Sequence, residues 1–261
     1  MKIHAFDFGS VFTPSGLCEL PDQTIIVSDY YNGNVWKVFP DGSKELSPVE
    51  YGDQLASICP VPAICPVPDG YIISDSFWRV RRVLADGTLV WDAQLENPGQ
   101  CVLFENTVFV ANGLCVKRLD VETGIVLGNF GDDRLQRGKS IAIDQSCREI
   151  LVTDSYATCI YAFCLDTFVF KGLVYSFENP YDMPHGICFD SSGRLYTLVR
   201  NSIYIIDRYS KTLVKPPISL LDNCDHLQEI ILRFDESLVV TFFDGMLLIE
   251  DIFADTKPAC C

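Results

Sequence analysis

Leu17 to Asp29 reads LCELPDQTIIVSD, and Ile64 to Asp75 reads ICPVPDGYIISD. Each runs from an apolar residue and a cysteine, through Pro-Asp, into a β-branched run closed by Ser-Asp. The pattern returns as QCVLFENTVFVAN ending at Asn112 and IAIDQSCREILVTD ending at Asp154. Two further copies are ICFDSSGRLYTLVR, ending at Arg200, and IILRFDESLVVTFFD, ending at Asp244. The endpoints lie 46, 37, 42, 46 and 44 residues apart. Self-similarity at such a period, with strand-like content inside every copy, marks a radial array of small sheets.

Each copy parses into four strands. The first is a short apolar segment bearing Cys18, Cys65, Cys101, Ala142, Cys188 or Leu232. A turn rich in Asp, Gly and Ser leads to a β-branched second strand such as TIIV or ILVT. The third follows the endpoint residue: NVWKVF, RVRRVL, CVKRLD, CIYAFC, SIYIID and MLLIED. Asp41-Gly42, Asp86-Gly87 and Thr123-Gly124 then turn the chain into a weaker outer strand such as GIVLGNFG. The sixth copy has no such strand after Asp251, whereas IHAFDFGS near the N-terminus resembles one. An all-β, six-bladed β-propeller is therefore predicted, with the N-terminal strand closing the last blade and removing two sheet edges. The expected boundaries are residues 1–255 for one propeller, with blades near 10–52, 53–95, 96–132, 133–178, 179–222 and 223–253. The strand 1–9 joins the last blade, and 256–261 form a tail.

PHGICFDSSGRLYTL (184–198), SIAIDQSCREILVTDSYATCIYAF (140–163) and TIIVSDYYNGNVWKVFPDG (24–42) resemble the NHL-repeat family of six-bladed propellers, over nearly the whole chain. Blade 3 has Asn112 and blade 5 Arg200 where the others have Asp. The resemblance implies a loop-built rim that docks proteins, and in some members single-stranded RNA. With no RING or coiled-coil segment ahead of the propeller, it does not imply a ubiquitin ligase.

Composition narrows the choices. The 261 residues are 48% hydrophobic and carry a net charge of −15, so nucleic acid would be repelled except at a local basic patch. Met1 leads into KIHAFDFGS, which has neither a basic nor a long apolar export region, and the longest uncharged run, 54–68, is broken by prolines. An intracellular, cytoplasmic location without a transmembrane segment is expected, and with it reduced thiols for the twelve cysteines. First-strand cysteines read as small space-filling residues near the axis, and the duplicated Ile-Cys-Pro-Val-Pro around Cys59 as a local insertion.

Gly-x-Ser-x-Gly, His-Glu-x-x-His and Walker-type patterns are absent. Lactonase-like propellers hold channel calcium, and an amidating-lyase family that resembles Pro184-His185-Gly186 uses several histidines around zinc. Only His4, His185 and His226 occur here, so neither a metal nor another cofactor is expected. Asp29, Asp75, Asp154 and Asp244 read as turn-locking carboxylates in preference to a calcium ring. Function is expected on the rim, at Tyr30, Tyr31, Phe77, Trp78, Tyr156 and Phe243, with Arg134, Arg137, Lys139 and His185 on the connections between blades. The resulting expectation is a non-catalytic protein-interaction scaffold. Its alternatives are an RNA-binding module using the basic and aromatic rim, helped by Arg79, Arg81 and Arg82, and a channel-metal enzyme of lactonase or lyase type.

Overall fold

The computed structural model describes residues 1–6, 8, 13–47, 55–61, 70–75, 78–220, 227–242 and 245–253. Among them every regular element is a strand, and no helix is long and apolar enough to cross a membrane. Six antiparallel sheets follow one another along the chain. The fourth is representative: Gly138–Asp144 innermost, then Glu149–Asp154, Cys159–Cys164 and Phe170–Ser176.

The second strands explain the ring. In Ile25–Asp29 every residue is buried, because one face packs on the preceding blade and the other on the following one. Ile26 joins Val35, Leu55 and Ile73 between blades 1 and 2. Its neighbour Val27 joins Leu17, Val239 and Met246 between blades 6 and 1. Alternation with period two sends successive side chains to opposite interfaces. Six such apolar clusters occupy the six junctions, so the ring has no open end. Outer strands face solvent and lose the apolar run: Lys44–Leu46 is exposed throughout.

Lys2–Phe6 pairs antiparallel with Gly245–Glu250, Lys2 opposite Glu250 and Phe6 opposite Met246. The N-terminal strand thus completes blade 6 as the sequence predicts. Blade 5 differs in having its outer strand split into Thr212–Leu213 and Ile218–Ser219. Pro216 and Pro217 lie in the gap; proline lacks the N–H a ladder needs.

Register corrects the cysteine reading. Blade 2 begins with Leu55–Val61, where Cys59 stands opposite Ile72, just as Cys18 stands opposite Ile26 and Cys188 opposite Tyr196. Cys59 therefore holds the repeat position assigned to Cys65, which lies outside the described residues. Cys101 is one residue off that position. It joins the junction between blades 2 and 3, whereas Cys18 faces the blade that follows its own. Space-filling still describes the thiols of Cys18 and Cys101, which are buried, and of Cys188, which is half-buried against the blade 5–6 cluster and is pushed well above the usual thiol range by burial. The blade 5 endpoint also shifts by one, since Val199, not Arg200, takes the register position of Asp154. The tail 256–261 lies outside the described residues.

Candidate functional site: the axial well

The upper turns are held in two ways. Asp154 Oδ1 accepts the backbone N–H groups of Arg137 (3.0 Å), Tyr156 (3.0 Å) and Ala157 (2.9 Å), while Oδ2 accepts that of Gln136 (2.6 Å). Asp29 gathers the N–H groups of Tyr31, Asn32 and Thr13, and Asp75 those of Trp78 and Arg79. These carboxylates accept N–H groups of the turns around them, which is the turn-locking arrangement. Asp244 lies outside the described residues.

Below the turns, the inner strands begin around the axis. In blade 4 Gly138 opposes Asp154 and Ser140 opposes Thr153, so Lys139 is the extra residue of a bulge. Blades 1 and 2 bulge at the same place, at Ser15 and Ala56, and blade 5 between Pro184 and Ile187, around His185. A bulge re-aims the side chain it adds. Ser15, Lys139 and His185 accordingly line a well of about 780 Å³ at the mouth of the channel. Tyr30, Tyr31, Tyr156 and Arg137 wall it above, and Gln100, Gln228 and Glu229 line it below.

Gln100 and Glu229 meet across the axis. They belong to blades 3 and 6, which stand opposite each other in a ring of six, and Gln100 Nε2 donates to Glu229 Oε1 at 3.0 Å. The amide orientation follows from its other end, where Gln100 Oε1 accepts the N–H of Ile141 at 2.7 Å. Gly186 makes room: a Cβ there would stand 2.8 Å from Ile230 N and 2.9 Å from Glu229 Oε1. Glu229 is 4% exposed. Burial pushes its pKa up to about 8, opposed only by the Ile230 N–H, so the carboxyl is protonated at neutral pH. An acid held neutral in this way can donate a proton or a hydrogen bond.

Burial, and next the Arg137 guanidinium, lower the pKa of Lys139. The Arg137 guanidinium donates to Tyr156 Oη at 2.7 Å and lies over its ring. Of the rim residues expected from sequence, Tyr30, Tyr31, Arg137, Lys139, Tyr156 and His185 come together here. Trp78 is 55% exposed and lies outside the well. Arg134 turns away to Asp133 and the Phe170 ring. Phe77 and Phe243 lie outside the described residues. The blade 2 basic group is taken up internally: Arg82 is buried against Glu122 and the Val121 carbonyl, and Arg79 pairs with Asp92.

Sequence reasoning missed Gln100, Gln228 and Glu229. Their signal was available: each polar residue opens an inner strand where the repeat has small ones, as Gly16 and Ser140 do. Among the described residues no group of three His, Cys, Asp or Glu side chains comes together. Among the described residues the well offers one acid, held protonated, and one imidazole. That donor set does not fit calcium, which takes several ionised oxygens, nor a zinc site of three protein ligands.

No family model matches the chain, and no curated protein matches it in sequence. Solved structures do match in shape. A gluconolactonase of Xanthomonas campestris aligns with a TM-score of 0.75 at 14% identity, over 95% of this chain and 88% of that one. A virginiamycin B lyase of Staphylococcus aureus, catalytically inactive through a His-to-Ala substitution and solved with quinupristin, gives 0.68 at 14% identity, over 92% and 82%. The WD40 propeller domain of Doa1 gives 0.67 at 12% identity, over 94% of each chain. At such identities the likeness is one of fold.

Proposed function

We propose that the chain is an enzyme that opens a small ester or lactone in the axial well by acid–base chemistry, without a channel metal. The observation that carries this reading is Glu229: a carboxyl kept neutral by burial, fixed by an amide from the opposite blade, at the base of a cavity of about 780 Å³. Perturbed acids in concave sites are a mark of function. The reaction class comes from propellers of like fold, a lactonase and a lyase among them. It replaces the scaffold expected from the NHL-type resemblance, and the intracellular setting expected from the sequence is kept.

The roles follow from position. His185, on the bulge beside Glu229, takes a proton from water as the water oxygen attacks the carbonyl carbon. As the ring C–O bond breaks, Glu229 gives its proton to the departing oxygen, and a hydroxy acid results. The new acid loses its own proton to solvent, Gln100 steadies the resulting carboxylate by its N–H, and the proton on His185 returns to Glu229 through solvent. Lys139 and Arg137 hold the substrate against the blade 4 wall.

Proton release from a panel of γ- and δ-lactones and small esters tests the proposal. Turnover that falls at least a hundredfold in Glu229→Gln, with an unchanged melting temperature, is expected. It should also decline as pH rises through about 8, where Glu229 ionises. Absence of turnover across the panel, or turnover indifferent to both Glu229→Gln and His185→Ala, would overturn the reading. A protein-docking rim is the second reading, favoured by Trp78, which is 55% exposed beside the well.

A further inference from the structure

The well has the wrong sign for its protein. The chain carries −15, yet among the described residues the lining of the well contains Arg137, Lys139 and a single carboxyl, Glu229, which is neutral. Elsewhere on the molecule the cations are commonly consumed by carboxylates: Arg148 by Asp166, Arg208 by Asp144 and Glu149, Arg233 by Glu19 and Asp235. Among the described residues neither Arg137 nor Lys139 makes an ion pair, and the Lys139 ammonium has no hydrogen-bond partner either. Lys139 is partly buried, and a cation desolvated without a counter-ion is costly unless something anionic completes it; Arg137 stands exposed beside it.

Their placement is also built. Arg137 is pinned at its backbone N–H by Asp154, and its carbonyl accepts the N–H of Ser155 at 3.0 Å. Its guanidinium lies over the Tyr156 ring, 4.8 Å from the centroid, and donates to the Tyr156 hydroxyl. The Lys139 carbonyl is likewise occupied, by the Gln100 N–H at 3.2 Å. The backbone that carries both cations is thereby fixed on the blade 4 wall, with Tyr30 and Tyr31 from blade 1 also walling the well in an edge-to-face pair, centroids 4.9 Å apart. We infer that the axial well selects a small anionic molecule, its carboxylate or phosphate taken by Arg137 and Lys139 and its body lying among the tyrosines. The inference rests on the same well as the proposed enzyme and names the charge of its substrate.

A matched pair of probes tests it. Phenylacetate and phenylacetamide have nearly the same shape and differ in charge. Ligand-observed NMR titration at low salt is expected to give the carboxylate at least tenfold tighter binding, an advantage that shrinks as salt is raised. Lys139→Met should cut the advantage at least threefold, Arg137→Gln should cut it further, and Lys139→Arg should restore it. Competition by inorganic phosphate would identify a phosphate-bearing substrate, and failure to compete a carboxylate; both results support the inference. Equal binding of acid and amide, binding of neither, or a preference untouched by Lys139→Met would overturn it. Glu229-dependent turnover of neutral lactones with no anion preference would sink the inference and keep the enzyme. Anion binding without turnover of any panel member would do the reverse.

Discussion

In blade 4 the chain passes from Asp154 to Cys159 through a turn whose N–H groups the aspartate collects, and blades 1 and 2 do likewise at Asp29 and Asp75. In blade 3 only Gly113 and Leu114 separate Asn112 from Cys115; in blade 5 only Arg200 and Asn201 separate Val199 from Ser202. Phe242 opposite Gly245 gives blade 6 the same short turn. Blades 3, 5 and 6, which place Asn112, Val199 and Phe242 at the register position of Asp154, supply Gln100, His185, Gln228 and Glu229, whereas the aspartate-locked ones offer Ser15 and Ser140 on their inner strands, with Lys139 the exception. Regular copies hold the ring and wall the well with Tyr30, Tyr31, Arg137, Lys139 and Tyr156; the copies that depart from the pattern supply Gln100, His185, Gln228 and Glu229. In a repeat protein every blade needs the packing residues, so deviation is tolerated only where something other than packing is gained.

The largest test of that division is pH. A carboxyl whose folded pKa lies above its unfolded value costs stability as the unfolded chain ionises first. For Glu229 the window runs from 4.5 to about 8. Across it the protein should lose about 4 kcal/mol that Glu229→Gln keeps, at about 1.4 kcal/mol per pH unit. Urea midpoints at pH 5 and 8 measure this, and parallel curves for the two proteins would return Glu229 to the ranks of ordinary surface acids. Asp154→Ala comes next. Four N–H groups lose a charged acceptor, a loss of about 3 kcal/mol in urea unfolding, and a change below 1 kcal/mol would erase the distinction between locked and unlocked blades. Gly186→Ala sharpens the other half: its methyl meets the Ile230 nitrogen and Glu229, so about 2 kcal/mol is expected, together with a change in turnover that Gly42→Ala at an open turn would not give. Smallest is Arg200→Ala. Arg200 pairs with Asp182 across the blade 5 connection, but its side chain is 54% exposed, so less than 1 kcal/mol should be lost.

What was legible and what was not divide along the physics of strands. Six copies, four strands apiece and an N-terminal strand completing the last blade followed from period, turn residues and alternation. Face was harder to read. A second strand such as Ile25–Asp29 is apolar on both sides because both are buried, so alternation cannot say which side meets which blade. A slip of one residue therefore passed unnoticed at Cys101 and Arg200, and the duplicated pentapeptide let Cys65 stand in for Cys59. Tyr30, Tyr31, Tyr156, Arg137 and Lys139 could be named as upper-face residues from their place in the repeat.

The amino-acid order by itself determined the ring, because burying both faces of every sheet demands a recurring apolar pattern that is local and countable. Only the closed tertiary structure brought Gln100 to Glu229, 129 residues away, across the axis. Proximity there depends on how many blades complete the circle, and the pKa of Glu229 depends on the solvent that this closure excludes. Neither quantity belongs to any one segment of the chain.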